Sequence, residues 1–143
     1  MPNADIGYKN IVREINKFIK KNHNSYLIKS LGHQMYFSLC NYASLMIGNT
    51  SSGIIEFPTF KKPTINIGKR QDGRIKPKSV IDSSHNISTL LKKINFSSKE
   101  SFKMKIKKLK NPYYQPNTSS NIIKILKKIK LKNIIFKKFI DIK

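Results

Sequence analysis

Apolar residues recur along the chain with two spacings, and each spacing predicts a different kind of element. A short apolar run at residues 45–47 is typical of a buried strand, and a second run rich in isoleucine, at residues 64–67, predicts another strand. Longer stretches place apolar residues three and four positions apart, which predicts amphipathic helices. The first such stretch, residues 9–22, carries five apolar residues on one stripe: Ile11, Val12, Ile15, Phe18 and Ile19.

The same patterns predict the remaining elements. We expect strands at residues 25–29 and 80–82, and helices at 33–43, 54–57, 87–94, 100–109 and 121–130. Asn86 is expected to cap the helix at 87–94, and Ser97 with Glu100 has the spacing of a capping box for the next helix. Two helices are expected to bury apolar faces that consist of Tyr36, Phe37, Leu39, Cys40, Ile122, Ile125, Leu126 and Ile129.

Strands alternate with helices over residues 1–130, and this alternation predicts one α/β domain with a Rossmann-like parallel sheet flanked by helices. A loop at residues 1–8 leads directly into a helix, which indicates that a strand is missing upstream. Residues 131–143 alternate Lys with Ile and Phe, and we predict a separate basic tail. This tail is a helix extension, a frayed end, or a basic amphipathic helix that lies on a surface or membrane.

The chain carries 29 Lys and Arg against 7 Asp and Glu, which gives a net charge of +22. Such an excess is found in proteins that bind nucleic acids or anionic membranes. A second explanation is genome base composition, because Lys, Asn, Ile, Phe and Tyr have AT-rich codons and Lys greatly outnumbers Arg. The basic residues are diffuse and form no nucleic-acid reader motif. We therefore expect no specific nucleic-acid partner, although polyanions and anionic substrates would be attracted.

The single cysteine and the hydropathy pattern bear on the compartment. Cys40 forms no internal disulfide, which fits a reducing cytosol, and its apolar helical face predicts a packed thiol rather than a nucleophile. No signal-peptide pattern opens the chain, and no apolar run approaches the ~20 residues that span a bilayer. We expect a soluble cytoplasmic protein with no membrane span, no metal site and no cofactor.

A loop of small residues, Gly-Asn-Thr-Ser-Ser-Gly at residues 48–53, follows the strand at 45–47 and precedes a helical turn. Backbone N–H groups in such loops bind anions, although many α/β domains have similar turns for structural reasons alone. The loop matches neither G-x-G-x-x-G nor the P-loop. Glu56 lies where a carboxylate can accept both hydroxyls of a ribose, and Arg70 follows the next strand, where it can pair with phosphate oxygens. Together these residues predict a nucleotide-diphosphate site.

The segment GNTSSGIIEFPTFKKPTINIGKRQDGR strongly resembles the signature of the UDP-N-acetylglucosamine 2-epimerase family, especially the hydrolysing branch of sialic- and legionaminic-acid pathways. The resemblance extends backward through PNADIGYKNIVREINKFI and SYLIKSLGHQMYFSLCNYASLMIGN, and forward to NPYYQPNTSSNIIKIL. It covers nearly all of residues 1–130. It implies that the chain is equivalent to the C-terminal, nucleotide-binding half of a two-domain, glycosyltransferase-B-type fold.

The resemblance also implies which residues contact the diphosphate. Thr50 and Ser51 would contact it directly, and Arg70 would pair with its oxygens. Ser52 and Gly53 would supply backbone groups at the helix start. Family members often have Ser at the position of Thr50, so the hydroxyl is retained in this chain.

Two further residues are implied to bind the nucleoside. Glu56 would hold the ribose, and the backbone around Leu31 would contact the uracil. Phe57 replaces a residue that is usually small in the family, and Lys69 replaces a frequent Asp. These two departures affect the local packing and charge of the implied site.

The family reaction, as the resemblance implies it, begins with abstraction of the sugar C2 proton. Anti elimination then expels UDP and leaves 2-acetamidoglucal; water adds in the hydrolysing branch to give N-acetylmannosamine or a related 2,4-diacetamido sugar, whereas UDP returns in the other branch. The acid–base carboxylates and a histidine near the hinge belong to segments absent here, so no catalytic residue is predicted. His23, His33 and His85 do not match that histidine and are expected on the surface or in packing. Asp5 and Asp72 are expected in turns.

Three functions follow, in order of preference. The first is the nucleotide-binding half of a hydrolysing UDP-N-acetylglucosamine 2-epimerase that needs the missing N-terminal half, for example as a separate chain. The second is a non-catalytic UDP-sugar-binding remnant, and the third is a basic nucleic-acid-binding protein. Half a site loses the entropic advantage of holding substrate between two domains, so we expect the chain alone to bind UDP weakly and turn over nothing measurable. The preferred UDP-amino sugar and a homo-oligomeric state stay open.

Overall fold

A computed structural model of the protein describes residues 7–130. Within this range the elements are α1 Tyr8–Lys21, α2 Gly32–Tyr42, β1 Met46–Gly48, α3 Ser52–Ile55, β2 Thr64–Ile67, β3 Val80–Ser83, α4 Ile87–Ser98, α5 Glu100–Lys107 and α6 Thr118–Lys128. A 3-10 helix, Phe57–Phe60, follows α3. Asp5 and the predicted tail at 131–143 lie outside the described residues, and the domain boundary at residue 130 stays a prediction.

The three strands form one parallel sheet in the order β1-β2-β3. Ile65 of β2 pairs with Ile47 of β1 and with Ile81 of β3, so β2 has a neighbour on each side. The connection from β1 to β2 contains α3 and the 3-10 helix, whereas the connection from β2 to β3 is an irregular loop at residues 68–79. The predicted α/β fold, a Rossmann-like parallel sheet flanked by helices, is confirmed.

The core is built around β2. Residues 64–66 are almost fully buried, and Ile54 and Phe57 from the preceding helices are 0% exposed. Phe102 and Ile106 of α5 are also buried. Each large apolar side chain that is fully buried stabilises the fold by roughly 1.5–3 kcal/mol. Phe57, which departs from the family pattern, is therefore a core residue.

The close approach of α3 to β2 depends on a glycine. A Cβ atom added to Gly53 would lie 2.7 Å from the Thr64 Cγ2 atom and 3.2 Å from the Met46 sulfur. The Thr64 hydroxyl also donates a hydrogen bond to the Gly53 carbonyl at 2.8 Å. Because real Cβ atoms do not approach a neighbour to 2.7 Å, only glycine fits here without a shift of α3 away from the sheet.

Several predicted elements are confirmed. β2 has the predicted bounds, and α1 begins and ends one residue before the predicted range. Asn86 caps α4 as predicted, because its side-chain oxygen accepts a hydrogen bond from the Thr89 N–H at 3.0 Å. The spacing of apolar residues therefore locates both strands and helices where that spacing is regular.

The predicted capping box of Ser97 and Glu100 is wrong. α4 continues to Ser98, so Ser97 lies inside this helix and its hydroxyl donates to the Ile94 carbonyl at 2.7 Å. Lys99 is the N-cap of α5 and makes no side-chain cap hydrogen bond. A serine hydroxyl can bond backward to a carbonyl of its own helix as well as forward to an N–H, and residue spacing does not distinguish the two.

The predicted strand at residues 25–29 is also wrong. These residues are irregular, and the side chains of Tyr26 and Ile28 are exposed. A strand forms where its backbone groups pair with a neighbouring strand, and among the described strands β1 pairs only with β2. The apolar pattern of residues 25–29 carries no information about whether such a neighbour is present.

The predicted burial of helix faces is correct only in part. On α2, Cys40 is 3% exposed, as expected for a packed thiol, and Tyr36 and Phe37 are half-buried, but Leu39 is exposed. Helix α6 buries none of its residues, so the predicted inward face of Ile122, Ile125 and Leu126, with Ile129 just after the helix, is wrong. Helix α1 likewise has no buried residue. These faces are apolar, yet the described part of the chain does not cover them.

Candidate functional site

The carboxyl ends of the three strands lie at one edge of the sheet, because the strands are parallel. Three loops begin there, at residues 49–51, 68–79 and 84–86. Open parallel sheets bind ligands outside this edge. Six of the seven residues that were predicted to bind substrate lie in the first two loops, in α3 or directly after α3: Thr50, Ser51, Ser52, Gly53, Glu56 and Arg70.

The first loop is a tight turn held by its own hydrogen bonds. The Ser52 N–H donates to the Thr50 hydroxyl oxygen at 3.3 Å, and the Gly53 N–H donates to the Thr50 carbonyl at 3.3 Å. Within residues 7–130, the backbone N–H groups of Thr50 and Ser51 donate to no acceptor. Helix α3 has four residues, so its dipole is small. The individual N–H and hydroxyl donors of the loop are therefore what an anion would meet.

The structure assigns Gly53 a packing role. It is buried against Thr64, and its N–H is used inside the turn. Gly53 fixes the distance between α3 and β2, and thus the position of the loop, whereas the N–H groups without an acceptor in residues 7–130 belong to Thr50 and Ser51 before it.

Tyr36 of α2 reaches this loop from outside. Its hydroxyl is hydrogen-bonded to the Ser52 hydroxyl, and it lies close to the Cys40 thiol. Burial raises the pKa of Tyr36 to about 12; the Cys40 thiol and the Glu56 carboxylate add to this rise, and the Ser52 hydrogen bond opposes it. Tyr36 is a neutral phenol at physiological pH, as an unperturbed tyrosine is, and it lies within electrostatic reach of Glu56. This links the predicted ribose-binding residue to the predicted phosphate loop.

A cavity of about 390 Å³ lies at the start of α2 and is lined by residues 28–33 and by Tyr36. Leu31, the residue predicted to contact uracil through its backbone, is part of this lining. Because Tyr36 both lines the cavity and bonds to Ser52, the cavity lies beside the first loop. Leu31, the seventh predicted residue, is thus connected to the first loop through Tyr36.

Gln71 ties the second loop to the first. Its side-chain amide donates to the Asn49 carbonyl at 2.7 Å, and the residue is only 4% exposed. Its side-chain oxygen is buried and has no hydrogen-bond partner among the described residues. Arg70 directly precedes Gln71 and is exposed. The contact therefore fixes the backbone that carries Arg70 against the loop that carries Thr50.

The other end of the second loop is fixed by a polar network at the ends of β2 and β3. Asp82 accepts hydrogen bonds from the Asn66 amide at 2.7 Å and from the Lys76 ammonium at 2.9 Å. Burial opposes ionisation of Asp82, but the hydrogen bonds from Lys76 and Asn66 outweigh it and lower the pKa of its carboxyl. The hydrogen bond to Asp82 raises the pKa of Lys76 against an opposing effect of burial. Both groups are charged at neutral pH.

The third loop contacts the second through His85. A Cβ atom added to Gly68, whose φ is +74°, would lie 2.7 Å from the His85 ring, and the Gly68 N–H donates to the Ser83 carbonyl at 2.9 Å. His33 is exposed and its ring lies 4.5 Å from that of Phe37 in an edge contact, and His23 is exposed. The three histidines have surface or packing positions, as expected.

The structure thus brings the seven predicted residues together mostly through residues that were not predicted to belong to the site. Tyr36 was expected only as a packed aromatic, and Gln71 had no expected role. The inward stripe of α2 was a usable signal for Tyr36, since it places a hydroxyl next to the small-residue loop. No local pattern distinguishes Gln71 from the other polar residues of its loop.

Metal-ligating clusters and membrane-spanning helices are both absent from residues 7–130. No group of three or more His, Cys, Asp or Glu side chains with the arrangement of a metal site occurs in this range. Within the same range no helix combines the length and apolar character needed to cross a membrane.

Comparison with known proteins gives consistent matches. A family model described as UDP-N-acetylglucosamine 2-epimerase matches residues 1–127. The polysialic acid biosynthesis protein P7 of Escherichia coli is 40% identical over 141 residues, which are 98% of this chain and 36% of that protein. The GDP/UDP-N,N'-diacetylbacillosamine 2-epimerase (hydrolyzing) of Campylobacter jejuni is 43% identical over 86% of this chain and 32% of its own length. The UDP-N,N'-diacetylbacillosamine 2-epimerase (hydrolyzing) of Legionella pneumophila is 29% identical over 96% and 35%, respectively.

The chain therefore spans about a third of the length of these relatives. The family model nevertheless covers most of the chain, including the sheet, the three loops and nearly all of α6. This agreement confirms the resemblance that the loop at residues 48–53 and its flanking segments predict. The chain belongs to the UDP-N-acetylglucosamine 2-epimerase family.

Proposed function

We propose that this chain supplies the nucleotide-binding part of a hydrolysing UDP-N-acetylglucosamine 2-epimerase and binds the UDP portion of a UDP-amino sugar. The observation that carries the proposal is the connection of the loop at residues 48–53 to Tyr36 and Gln71. This connection gathers hydroxyl donors, the cavity beside Leu31 and the backbone of Arg70 at one edge of the sheet. The names of the Campylobacter jejuni and Legionella pneumophila relatives, both hydrolysing 2-epimerases of a nucleotide-linked sugar, support a hydrolysing reaction.

The diphosphate binds at the first loop. Thr50, Ser51 and Ser52 offer hydroxyl donors, and the N–H groups of Thr50 and Ser51 have no acceptor within residues 7–130. Arg70 pairs with phosphate oxygens from the neighbouring loop, and its planar guanidinium can make two parallel hydrogen bonds to them. The net charge of +22 raises the local concentration of an anionic substrate.

The nucleoside binds beside α2. Glu56 is exposed and lies within electrostatic reach of Tyr36, which bonds to Ser52 and lines the cavity. There it accepts hydrogen bonds from the two ribose hydroxyls. The base occupies the cavity of about 390 Å³, where the backbone around Leu31 contacts the edge of uracil.

The chemical role of these residues is electrostatic. Elimination of UDP places negative charge on the leaving diphosphate, and fixed donors aimed at that charge lower the barrier. Proton abstraction at the sugar C2 atom and addition of water require groups from the rest of the enzyme. The chain alone therefore binds UDP weakly and releases none from a UDP-amino sugar. Activity requires a second domain that closes over the sugar.

The proposal is tested by calorimetric titration of the 143-residue chain with UDP, GDP and inorganic pyrophosphate at physiological salt. We expect UDP to bind more tightly than pyrophosphate, which carries the same kind of charge without a nucleoside. GDP is included because the Campylobacter jejuni relative is named for both nucleotides. Tighter binding of GDP than UDP would contradict the assignment of uracil, and equal binding of UDP and pyrophosphate would contradict a nucleotide site.

Two substitutions assign the contacts. Arg70→Ala should weaken UDP binding about tenfold or more, because a hydrogen bond to a charged group contributes roughly 1.5–3 kcal/mol. Glu56→Ala should remove the preference of the chain for UDP over 2′-deoxy-UDP. Arg13→Ala on α1 is the control for Arg70→Ala, since Arg13 is exposed and its loss changes the net charge equally. Equal effects of the two arginine substitutions would show non-specific attraction and reject the proposal.

A further inference from the structure

The hydroxyl of Tyr36 connects α2 to the loop at residues 48–53, and the proposed function assigns it no effect on the ligand. The ring is half-buried and packs beside Phe37, with the ring centroids 5.4 Å apart. The groups that face the hydroxyl are the Ser52 hydroxyl, the Cys40 thiol and the Glu56 carboxylate. A phenylalanine would fill the same space, so packing alone does not explain why a hydroxyl lies here.

The direction of the Tyr36–Ser52 hydrogen bond has a consequence for Ser52. Tyr36 and Ser52 each carry one hydroxyl proton, and either hydroxyl can be the donor in the bond that joins them. If Tyr36 donates to Ser52, the Ser52 oxygen is an acceptor in this bond and its own proton is left for another acceptor. Tyr36 is the hydrogen-bond partner of the Ser52 side chain among the described residues. Ser52 is only partly buried, so a ligand can reach it.

We propose that Tyr36 is a positioning residue for the diphosphate: its O–H donates to the Ser52 oxygen and directs the Ser52 hydroxyl proton to a phosphate oxygen. The inference rests on the proposed function and goes beyond it, because it assigns a role to a residue of α2. Chains of hydroxyl groups polarise one another, so the Tyr36 bond also makes Ser52 a stronger donor to an anion. The same bond holds the base cavity and the phosphate loop at a fixed separation.

A structural role would have different consequences. If the bond only holds α2 against α3, its loss lowers the stability of the fold. The ratio of the affinities for UDP and uridine then stays unchanged. If Tyr36 acts through Ser52 on the diphosphate, its loss weakens the binding of UDP and leaves uridine binding as it was. The two roles are therefore separated by a ligand series measured below the unfolding temperature.

The test uses Tyr36→Phe, Ser52→Ala and the double variant in the full 143-residue chain, titrated with UDP and with uridine. We expect Tyr36→Phe to weaken UDP binding about five- to tenfold, the effect of one hydrogen bond, and to leave uridine binding unchanged. Ser52→Ala should have at least the same effect on UDP. In the Ser52→Ala background, Tyr36→Phe should have no further effect, because its hydroxyl then has no relay partner.

Tyr42→Phe is the matched control, since Tyr42 lies on the same helix with an exposed ring, and we expect it to bind UDP as the wild type does. Additive effects of the two substitutions, equal weakening of UDP and uridine, or no effect of Tyr36→Phe overturn the inference. If Tyr36→Phe does not fold, Ser52→Ala decides alone: unchanged UDP binding overturns the inference. A wild-type chain that does not bind UDP rejects the proposed function, whereas UDP binding that depends on Glu56 and Arg70 but not on Tyr36 rejects only this inference.

Discussion

Strand β2 and helices α1 and α6 all carry regular apolar patterns, but only β2 is buried. Residues 64–66 of β2 have a strand on each side and α3 packed against them, and Phe57 beside them is 0% exposed. Helix α1 has the more extended apolar stripe, yet none of its residues is buried and Phe18 is 58% exposed. The same is true of α6. The central sheet and the two flanking helices therefore differ in what covers their apolar residues.

This difference shows what a periodic pattern encodes. An apolar stripe at helical spacing specifies a helix and the face it would bury, but the free energy is gained only when another element removes that face from water. In the sheet, the apolar pattern and the elements that cover it lie within about 40 residues of one another along the sequence. The flanking helices have the apolar stripe, but within the described chain no element covers it. The following predictions test whether stability is concentrated in the centre.

The largest contrast is expected between two phenylalanines. Phe57→Ala removes a fully buried side chain and should lower the free energy of unfolding by about 3–5 kcal/mol. Phe18→Ala removes a ring that is mostly exposed on α1 and should change it by no more than about 0.5 kcal/mol. Urea denaturation followed by circular dichroism measures both. Equal destabilisation by the two substitutions would show that α1 is packed in solution, and the contrast between centre and flank would not hold.

The fold could be predicted from the sequence where the pattern and its partner are close together. β2, β3 and α4 were located because a continuous apolar run or a cap residue such as Asn86 acts locally. The prediction of a strand at residues 25–29 was wrong because a strand also needs a neighbouring strand, and the apolar pattern of those residues does not indicate whether one is present. The predicted burial of the apolar face of α6 was wrong for the same physical reason. A local sequence pattern gives little information about whether another element packs against it, because that depends on the whole chain.

A smaller effect is expected where α3 meets β2. Gly53→Ala places a Cβ atom 2.7 Å from the Thr64 Cγ2 atom and should lower the free energy of unfolding by about 1–3 kcal/mol. Thr64→Ser removes that methyl group and keeps the hydroxyl that donates to the Gly53 carbonyl. The double variant should therefore be more stable than the sum of the single effects indicates, and urea denaturation of all four proteins measures the coupling.

Gly7 at the start of α1 provides the matched glycine in the flanking region. Its φ is +89° and no atom lies within 4 Å of an added Cβ, so Gly7→Ala introduces backbone strain of about 1–2 kcal/mol without a clash. Thr64→Ser should not relieve that strain. If Gly53→Ala and Thr64→Ser were additive, the contact between α3 and β2 would not be the reason for the glycine.

As with the fold, the residues of the candidate site could be predicted from local sequence segments, whereas the long-range contacts that join those segments could not. Thr50, Ser51 and Ser52 were predicted together because they form one continuous segment, and Arg70 was predicted because parallel strands end at the same edge; their binding roles stay predictions. Tyr36 and Gln71 were missed as site residues because their role lies in single contacts to Ser52 and to the Asn49 carbonyl, across 16 and 22 residues of sequence. Such contacts depend on side-chain positions that no spacing rule specifies.

The smallest effect concerns two ion pairs, one in each region. Asp82 and Lys76 lie 2.9 Å apart at the sheet edge, and Glu14 and Lys17 lie 3.0 Å apart on α1. The lowered pKa of Asp82 means that its contribution is present above its unfolded-state pKa of about 3.9 and is lost as the pH falls through the folded-state value. Because 56% of its side chain is exposed, solvent screening limits the contribution to about 1 kcal/mol or less.

Asp82→Asn should therefore lower the free energy of unfolding at pH 7, and the difference from wild type should be smaller at pH 3, which lies below the unfolded-state pKa of about 3.9. Glu14→Gln, whose side chain is 61% exposed, should change stability at pH 7 by less than about 0.5 kcal/mol. Urea denaturation of the three proteins at both pH values measures these differences. An Asp82→Asn effect that is as large at pH 3 as at pH 7 would assign the contribution of Asp82 to its hydrogen-bond geometry with Asn66 rather than to its charge.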